Sequence, residues 1–256
     1  MKNYVISLTT ATERRQHIAE EFGKQGIIFE FFDAVTPNDV DKLVNKFDIN
    51  IQDANLTKGE LACFFSHLCL WQKAIDDNLD YLVVFEDDVY LGKNAHLFLR
   101  NSDWIPSDCE LIKIEHYLDK LILGKSISEI YGRHIKPLKE FNWGTAGYII
   151  HKSMIDKLMH VITEQFKINA EPIDHIMFEI AIFKYNLPIY QMTPALSIQS
   201  DRPQQSGKIK STLEQERRSR MNGQPKPKPR LTLSQKINKR FERIAVKIAR
   251  ETVDFR

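Results

Sequence analysis

Short apolar runs alternate with segments of helical periodicity along most of the chain. Runs rich in β-branched and aromatic residues are typical of strands, and apolar positions that recur every three or four residues are typical of helices. Strands are therefore predicted at Tyr4–Leu8, Ile27–Val35, Tyr81–Phe85, Glu110–Ile114 and Ala146–His151, and helices at Thr12–Gly23, Ser153–Thr163 and Asp174–Tyr185. Strands that alternate with helices favour an α/β fold with an open, mostly parallel sheet flanked by helices.

A further helix is predicted after Thr57, because Glu60 three residues later completes a capping box. Its apolar face includes Trp71, which we expect in the core. Two polar residues, Ser66 and His67, interrupt that face. A histidine in such a place is either a hydrogen-bonded core residue or a substrate contact, and both interpretations stay open.

The composition changes after about residue 200, and the chain is predicted to comprise a folded domain (1–205) and a basic C-terminal segment (206–256). Within that segment, Gln224–Arg230 reads QPKPKPR and is typical of an extended linker. An amphipathic helix is predicted beyond it, because apolar residues recur at helical spacing among Lys and Arg, at Leu233, Ile237, Phe241, Ile244 and Ile248.

Charge is distributed unevenly along the chain. The formal net charge is +2, yet residues 207–256 hold 15 Lys and Arg against 5 Asp and Glu. This asymmetry predicts an anionic partner for the tail, either a membrane surface or nucleic acid. The acidic body lacks an aromatic-basic patch, so we expect no nucleic acid and favour an anionic membrane.

The cysteines, the opening segment and the apolar runs of the chain indicate its cellular compartment. The three cysteines fit no disulfide framework and no metal or redox spacing, which favours a reducing compartment. The opening MKNYVISLTT reads as a first strand rather than a signal peptide, and no apolar run is long enough to cross a bilayer. We therefore expect a cytoplasmic protein that is peripheral on the inner membrane.

Three consecutive carboxylates, Glu86, Asp87 and Asp88, follow the predicted strand Tyr81–Phe85. In open α/β sheets, ligands bind beyond the carboxyl ends of the strands. In extended backbone Glu86 and Asp88 project to one side and Asp87 to the other. Two carboxylates on one side suit Mn²⁺ or Mg²⁺, and such an ion commonly accompanies a diphosphate. The alternative is a solvated acidic turn.

Four segments together resemble glycosyltransferase family 25, the group of lipopolysaccharide and collagen glucosyl- and galactosyltransferases. They are VISLTTATERR, GELACFFSHLCLW, VVFEDDVYL, and WGTAGYIIHKSM followed by EPIDH, and they span about residues 4–175 in order. The resemblance implies a GT-A fold and transfer from a nucleotide sugar with inversion at the anomeric carbon. It favours galactose from UDP-galactose, with glucose as the close alternative, and lipooligosaccharide as the acceptor. It also implies a divalent cation, Mn²⁺ or Mg²⁺, on Glu86 and Asp88.

Donor-binding residues are expected at the ends of the first strands. Arg15, and less so Arg14, could meet the donor diphosphate, since arginine pairs well with phosphate oxygens. The alternative for both is a solvated helix face. Asp33 is either a ribose or base contact or a residue of a strand-terminating turn. The full set of expected donor-binding residues is Ser7, Leu8, Thr9, Arg15, Asp33, Ala34, Ser66 and Asp87.

Acceptor and sugar contacts are expected at Trp143, Gly144 and Thr145, where glycine permits close approach and tryptophan offers a flat face to a sugar ring. The alternative is an ordinary turn with a packed aromatic. An inverting transferase needs a base for the acceptor hydroxyl. Asp174 is the predicted base, and the alternative for it is a helix N-cap. His175 and Asp201 are weaker candidates.

Two other function classes also fit parts of the sequence. Metal-dependent phosphate-ester hydrolases also use acidic residues at strand ends, but they often need a nucleophilic Asp directly after the first strand. Ser-Leu-Thr-Thr occupies that place here. A non-enzymatic module that uses the basic tail on nucleic acid or membrane is the remaining alternative.

Overall fold

The computed structural model describes residues 1–51, 55–200 and 246–256. The strands are β1 (Lys2–Ser7), β2 (Glu30–Asp33), β3 (Tyr81–Glu86), β4 (Val89–Leu91), β5 (Leu111–Lys113), β6 (Glu115–His116), β7 (Lys120–Leu121), β8 (Ser128–Ile130), β9 (Arg133–Pro137), β10 (Gly147–His151), β11 (Tyr190–Thr193), β12 (Ser197–Gln199) and β13 (Glu251–Thr252). The helices are α1 (Thr12–Gly23), α2 (Val40–Phe47), α3 (Lys58–Asp76), α4 (Ala95–Leu99), α5 (Lys152–Phe166), α6 (Ile173–His175) and α7 (Ala181–Phe183), with a π-helical turn at Ile176–Ile180.

The main sheet has eight strands in the order β2-β1-β3-β10-β5-β11-β9-β8. Strands β2, β1 and β3 run parallel, as do β5 and β11, whereas β10, β9 and β8 pair antiparallel with their neighbours. The α/β class, with helices flanking a central sheet, is confirmed. The predicted parallel arrangement is found on the β2-β1-β3 side, and the sheet as a whole is mixed.

The central strands are buried on both faces, which explains their continuous apolar sequences. Val5, Val83 and Phe85 pack on one side with α1 and α4. Tyr4 and Val84 pack on the other side, in a core shared with α2, α3 and α5. The sheet is therefore fixed between two apolar layers.

The strand register brings several chain segments to one edge of the sheet. Ser7 is paired with Asp33 and Ile6 with Glu86, so the carboxyl ends of β1, β2 and β3 lie side by side. Gly147, the first residue of β10, is paired with Phe85. The segment that leads into β10 therefore reaches the same edge.

The predicted helix after Thr57 is confirmed with its capping box. Thr57 Oγ1 accepts a hydrogen bond from the Glu60 amide at 3.1 Å, and Glu60 Oε2 accepts one from the Thr57 amide at 2.9 Å. Helix α1 has the predicted bounds. The predicted helix Asp174–Tyr185 is instead divided into α6, the π-helical turn and α7.

The end of the chain packs on the body, which revises the predicted separation of residues 206–256. Strand β13 pairs with β7, and Val253 is buried. Arg250 Nη2 donates to Glu140 Oε2 at 2.8 Å, and Arg133 Nη2 donates to the Arg256 carbonyl at 2.6 Å. Residues 250–256 thus belong to the packed domain.

Part of the predicted amphipathic helix can be compared with the structure. Residues 246–249 are helical, and Ile248 is exposed. The linker Gln224–Arg230, Asp201 and the apolar positions Leu233, Ile237, Phe241 and Ile244 lie outside the described residues. Within residues 1–51, 55–200 and 246–256, no helix has both the length and the apolar character that crossing a membrane requires.

Candidate active site

Asp87 is held by two residues from the β1–α1 region. Ser7 Oγ donates to Asp87 Oδ2 at 2.7 Å, and Arg14 Nη1 donates to Asp87 Oδ1 at 2.7 Å. Arg14 is thus no solvated helix residue, because it neutralises the middle carboxylate of the triplet. Asp87 and Asp88 are both buried, which contradicts the alternative of a solvated acidic turn.

Glu86 and Asp88 lie in a field of like charge. Thr145 Oγ1 donates to Glu86 Oε1 at 2.9 Å. Burial, followed by the Asp88 and Glu115 carboxylates, raises the pKa of Glu86 to about 8. Asp88 Oδ1 accepts a hydrogen bond of 3.4 Å from Gln199 Nε2. The Asp88 charge thus acts on Glu86, and the backbone turns at Asp87 and Asp88 rather than staying extended.

The loop of residues 143–146 has an unusual backbone. Gly144 has a φ of +84°, a left-handed conformation that favours glycine. A Cβ atom there would lie 2.7 Å from Glu115 Oε1 and 2.9 Å from Tyr117 Cδ2. Trp143 is 38% exposed and packs beside Phe141, with ring centroids 4.6 Å apart. The loop can therefore present an aromatic face to a ligand while its backbone stays tightly packed.

The fully buried ion pair between Lys113 and Glu115 contacts the backbone of this loop. Lys113 Nζ contacts Glu115 Oε2 at 2.8 Å and also donates to the Gly144 carbonyl. Glu115 Oε2 accepts from the Ala146 amide at 3.1 Å. Burial lowers the pKa of Lys113, and the Glu115 charge opposes that effect. The two charges offset each other in the interior, and both hydrogen-bond the backbone of this loop.

Asp174 meets the same loop from α6. Its Oδ2 accepts from the Gly144 amide at 3.1 Å and its Oδ1 from the His175 amide at 3.1 Å. Asp174 is 1% exposed. It lies inside α6, whose N-cap is Pro172, so the alternative of a helix N-cap is wrong. His175 is paired with Glu179 at 2.9 Å.

His67 is buried and hydrogen-bonded. Its Nδ1 lies 2.8 Å from the Tyr148 hydroxyl, which also accepts from Trp71 Nε1 at 2.9 Å. Burial lowers the pKa of His67 to about 3, so the ring is neutral. The ligand-type atoms of Cys63, His67 and Glu86 all lie within 4.8 Å of one another. Cys63 was not among the predicted site residues, although its four-residue spacing from His67 on one helix could have indicated the pair.

The donor-side residues meet at the ends of β1 and β2. Arg15 pairs with Asp33, and its guanidinium donates to the Ser7 and Leu8 carbonyls at 3.0 and 3.1 Å. The Ala34 amide donates to the Ser7 carbonyl at 2.9 Å. Leu8 is exposed, as is Thr9 next to it.

Ser66 lies beneath this edge rather than on it. Its Oγ accepts from the Val35 amide at 2.9 Å and donates to the Ala62 carbonyl at 2.7 Å. It therefore positions the segment after β2. The expected site residues as a whole lie along one edge, with Ser66 and Asp87 buried behind it and Trp143 and Asp33 more exposed.

An α/β domain with carboxylates beyond the carboxyl ends of its strands belongs to the large class that binds ligands at this edge. The family model described as "Glycosyltransferase family 25 (LPS biosynthesis protein)" matches residues 1–177, and the chain belongs to that family. The resemblance deduced from the four motifs is thereby confirmed. This family assignment favours a glycosyltransferase over the two alternatives, a phosphate-ester hydrolase and a non-enzymatic module.

Relatives extend the match beyond the family region. The lipooligosaccharide biosynthesis protein lic2B of Haemophilus influenzae is 40% identical over 223 residues, covering 84% of this chain and 82% of that protein. The lacto-N-neotetraose biosynthesis glycosyltransferase LgtB of Neisseria meningitidis serogroup B is 36% identical over 211 residues, covering 78% and 75%. A crystal structure of a glycosyltransferase involved in glycosylation of the PBCV-1 major capsid aligns with a TM-score of 0.42 at 10% identity, over 87% of this chain and 100% of that chain. A likeness that distant adds nothing to the fold assignment.

Proposed function

We propose that the protein is an inverting glycosyltransferase that moves a hexose, galactose from UDP-galactose, to a saccharide hydroxyl of lipooligosaccharide. The proposal depends on one observation: Thr145 holds Glu86, and its neighbour Gly144 holds Asp174. A carboxylate pair for the donor and a carboxylate for the acceptor are thus joined through two adjacent residues. The similarity to the lipooligosaccharide biosynthesis protein lic2B supports lipooligosaccharide as the acceptor.

The donor diphosphate is proposed to bind at Glu86 and Asp88 through Mn²⁺ or Mg²⁺. The buried carboxylate of Asp88 and the partly buried carboxylate of Glu86 repel each other and offer only oxygen ligands, which fits a hard divalent cation that would relieve their repulsion. When bound, such an ion supplies charge stabilisation for the departing diphosphate. Arg14 keeps Asp87 out of this ligand set through its ion pair. Arg15, Asp33 and the exposed ends of β1 and β2 then form the nucleoside side of the donor site.

The acceptor is proposed to lie against Trp143, with its hydroxyl directed at Asp174. In the transfer, the acceptor oxygen bonds to the anomeric carbon while the bond from that carbon to the phosphate oxygen breaks, and Asp174 takes the hydroxyl proton. Without a bound acceptor, the Gly144 amide covers Asp174 Oδ2 by donating a hydrogen bond to it. A shift of the Trp143–Thr145 loop when the acceptor binds would give the hydroxyl access to the carboxylate.

The test is a thermal-shift screen of nucleotide sugars with and without Mn²⁺, followed by a transfer assay. A ligand that binds only the native state raises the apparent stability. UDP-galactose with Mn²⁺ should raise the melting temperature most, and the product should have the anomeric configuration opposite to the donor's. The Asp88→Asn variant should lose the Mn²⁺-dependent part of the shift and most of the transfer. A larger shift with UDP-glucose would reassign the donor, and retention of configuration would contradict the inverting mechanism.

A further inference from the structure

Helix α3 and strand β3 bring together three side chains of the types that bind metals, and one of them is the first carboxylate of the acidic triplet. Cys63 and His67 are four residues apart and lie on one face of α3. Glu86 is the last residue of β3. One ligand atom from each residue lies within 4.8 Å of the other two. No other group of three such side chains converges within the described ranges of the chain.

The chemistry of these three ligands differs from that of the acidic motif. Thiolate, imidazole and one carboxylate are ligands of zinc-class ions, whereas Mg²⁺ and Mn²⁺ prefer oxygen. Tetrahedral bonds of about 2.0–2.3 Å place ligand atoms about 3.3–3.8 Å apart. The ligand atoms of Cys63, His67 and Glu86 therefore need to approach one another by at most about 1.0–1.5 Å, which side-chain rotation can provide. Three protein ligands leave a fourth position for water or another small ligand.

Two of the three ligands are already oriented by buried partners. The Tyr148 hydroxyl lies 2.8 Å from His67 Nδ1, and Trp71 Nε1 fixes that hydroxyl in turn. This leaves His67 Nε2 for the metal when the ring proton is on Nδ1, because the Tyr148 oxygen can accept the hydrogen bond from Nδ1–H. Thr145 holds Glu86 Oε1, so Oε2 is the oxygen that can turn to the metal. Such outer partners typically support functional metal ligands.

We propose that Cys63, His67 and Glu86 form a binding site for a zinc-class ion, separate from the hard cation of the donor site. Both sites use Glu86, so occupation by Zn²⁺ withdraws this carboxylate from Asp88 and inhibits transfer. The effect on transfer rests on the proposed function, whereas the binding of Zn²⁺ does not.

Binding is tested on the full chain, first stripped of metal, by competition with a chromophoric zinc chelator. Helix α3 offers a matched pair of variants, because Cys63 and Cys69 are both half-buried on the same helix. The parent and Cys69→Ala should bind one Zn²⁺, and Cys63→Ala should bind at least about tenfold more weakly. Co²⁺ should give a thiolate charge-transfer band in the parent and in Cys69→Ala, and none in Cys63→Ala. Equal Zn²⁺ affinity in both variants, or no Zn²⁺ binding by the parent, would overturn the proposal.

Transfer gives a second readout. In excess Mn²⁺, added Zn²⁺ should inhibit the parent and Cys69→Ala, while Cys63→Ala keeps its transfer rate and resists Zn²⁺. Equal inhibition of Cys63→Ala would show that Zn²⁺ acts elsewhere and would overturn the shared use of Glu86. Absence of any transfer by the parent would count against the proposed function, and the chelator and Co²⁺ measurements would still decide the zinc site.

Discussion

At the scale of single residues, the acidic triplet divides into two kinds of carboxylate. Asp87 is neutralised by Arg14 and tied to Ser7. Glu86 is held instead by the neutral Thr145 hydroxyl, and its pKa is raised by burial and by Asp88. A bound cation would favour the charged form of this carboxylate, so that its proton is released to solvent.

The raised pKa of Glu86 predicts how the metal-free protein responds to pH. Between about pH 4.5 and the folded-state pKa of about 8, the folded chain holds a proton that the unfolded chain has lost. Stability should therefore fall as pH rises through this window. Glu86→Gln cannot titrate, so in the presence of a chelator its melting temperature should exceed the parent's by more at about pH 8.5 than near pH 5.

The control for this titration is Glu13→Gln, which changes an exposed glutamate on α1. Its melting temperature relative to the parent should show no such trend across the window. A constant difference between Glu86→Gln and the parent at every pH would contradict the assignment of the raised pKa to Glu86.

Asp174 is the second residue whose role can be measured directly. If it is the base, Asp174→Asn should lower turnover by roughly two to four orders of magnitude, while UDP-galactose still raises the melting temperature. Asp156→Asn, an exposed aspartate on α5, is the matched control and should leave both unchanged. Normal turnover in Asp174→Asn with a lower melting temperature would mean that Asp174 only anchors Gly144, and Asp201 would become the candidate base.

At the scale of elements, the loop of residues 144–146 in the candidate site is hydrogen-bonded by side chains from several helices and strands. Lys113 at the end of β5, Glu115 on β6 and Asp174 on α6 all bind the backbone of residues 144–146, and Thr145 reaches Glu86 on β3. Each contact comes from a different element of the packed domain. The position of the loop in the absence of acceptor is therefore set by contacts with the fold as a whole, and these contacts orient Glu86 and Asp174 relative to each other.

Gly144 is the position where this support can be tested. Gly144→Ala places a side chain at positive φ and within 3 Å of Glu115 and Tyr117. Gly132→Ala is the matched control, because Gly132 has a φ of +74° and nothing within 4 Å of its added Cβ. Both variants should lose about 1 kcal/mol or more from backbone strain. Only Gly144→Ala should also lose most of its transfer activity, and equal activity in the two variants would contradict a positioning role for the loop.

The elements themselves were largely predictable from sequence, because their signals are local. The capping box at Thr57 and the apolar run of β3 depend on neighbours in the chain. The ion pair between Arg14 and Asp87 was not predictable, since it joins residues 73 positions apart. The alternation of Lys113 and Glu115 would place them on one side of extended chain, but nothing local indicates that both are fully buried. Partners distant in sequence thus decide the site.

At the scale of the whole molecule, the last residues of the basic segment pack against the more acidic remainder of the chain. Residues 207–256 hold 15 Lys and Arg against 5 Asp and Glu. Their last residues bind the body through β13, Val253 and the Arg250–Glu140 pair. Truncation of residues 224–256 would therefore remove packed structure along with charge, and it cannot test the charge alone.

Charge-neutralising substitutions give the sharper test of the proposed contact with an anionic membrane. Each basic residue near such a surface contributes about 1 kcal/mol, so replacing a handful with Gln should abolish attachment. The substituted residues would be Lys226, Lys228, Arg230, Lys236, Lys239, Arg240 and Arg243, all outside the described part of the chain. Arg250 is kept because it binds Glu140.

The measurement is co-sedimentation with anionic and with neutral vesicles, at low and at high salt. The parent should pellet with anionic vesicles at low salt and be released by high salt, because exposed charges are screened. The substituted chain should stay in solution in every condition while its transfer to a small soluble acceptor is unchanged. If it pellets as the parent does, the attachment does not depend on these charges and the electrostatic proposal is wrong. If transfer falls with the soluble acceptor as well, the basic residues act on the catalytic domain itself rather than on the membrane.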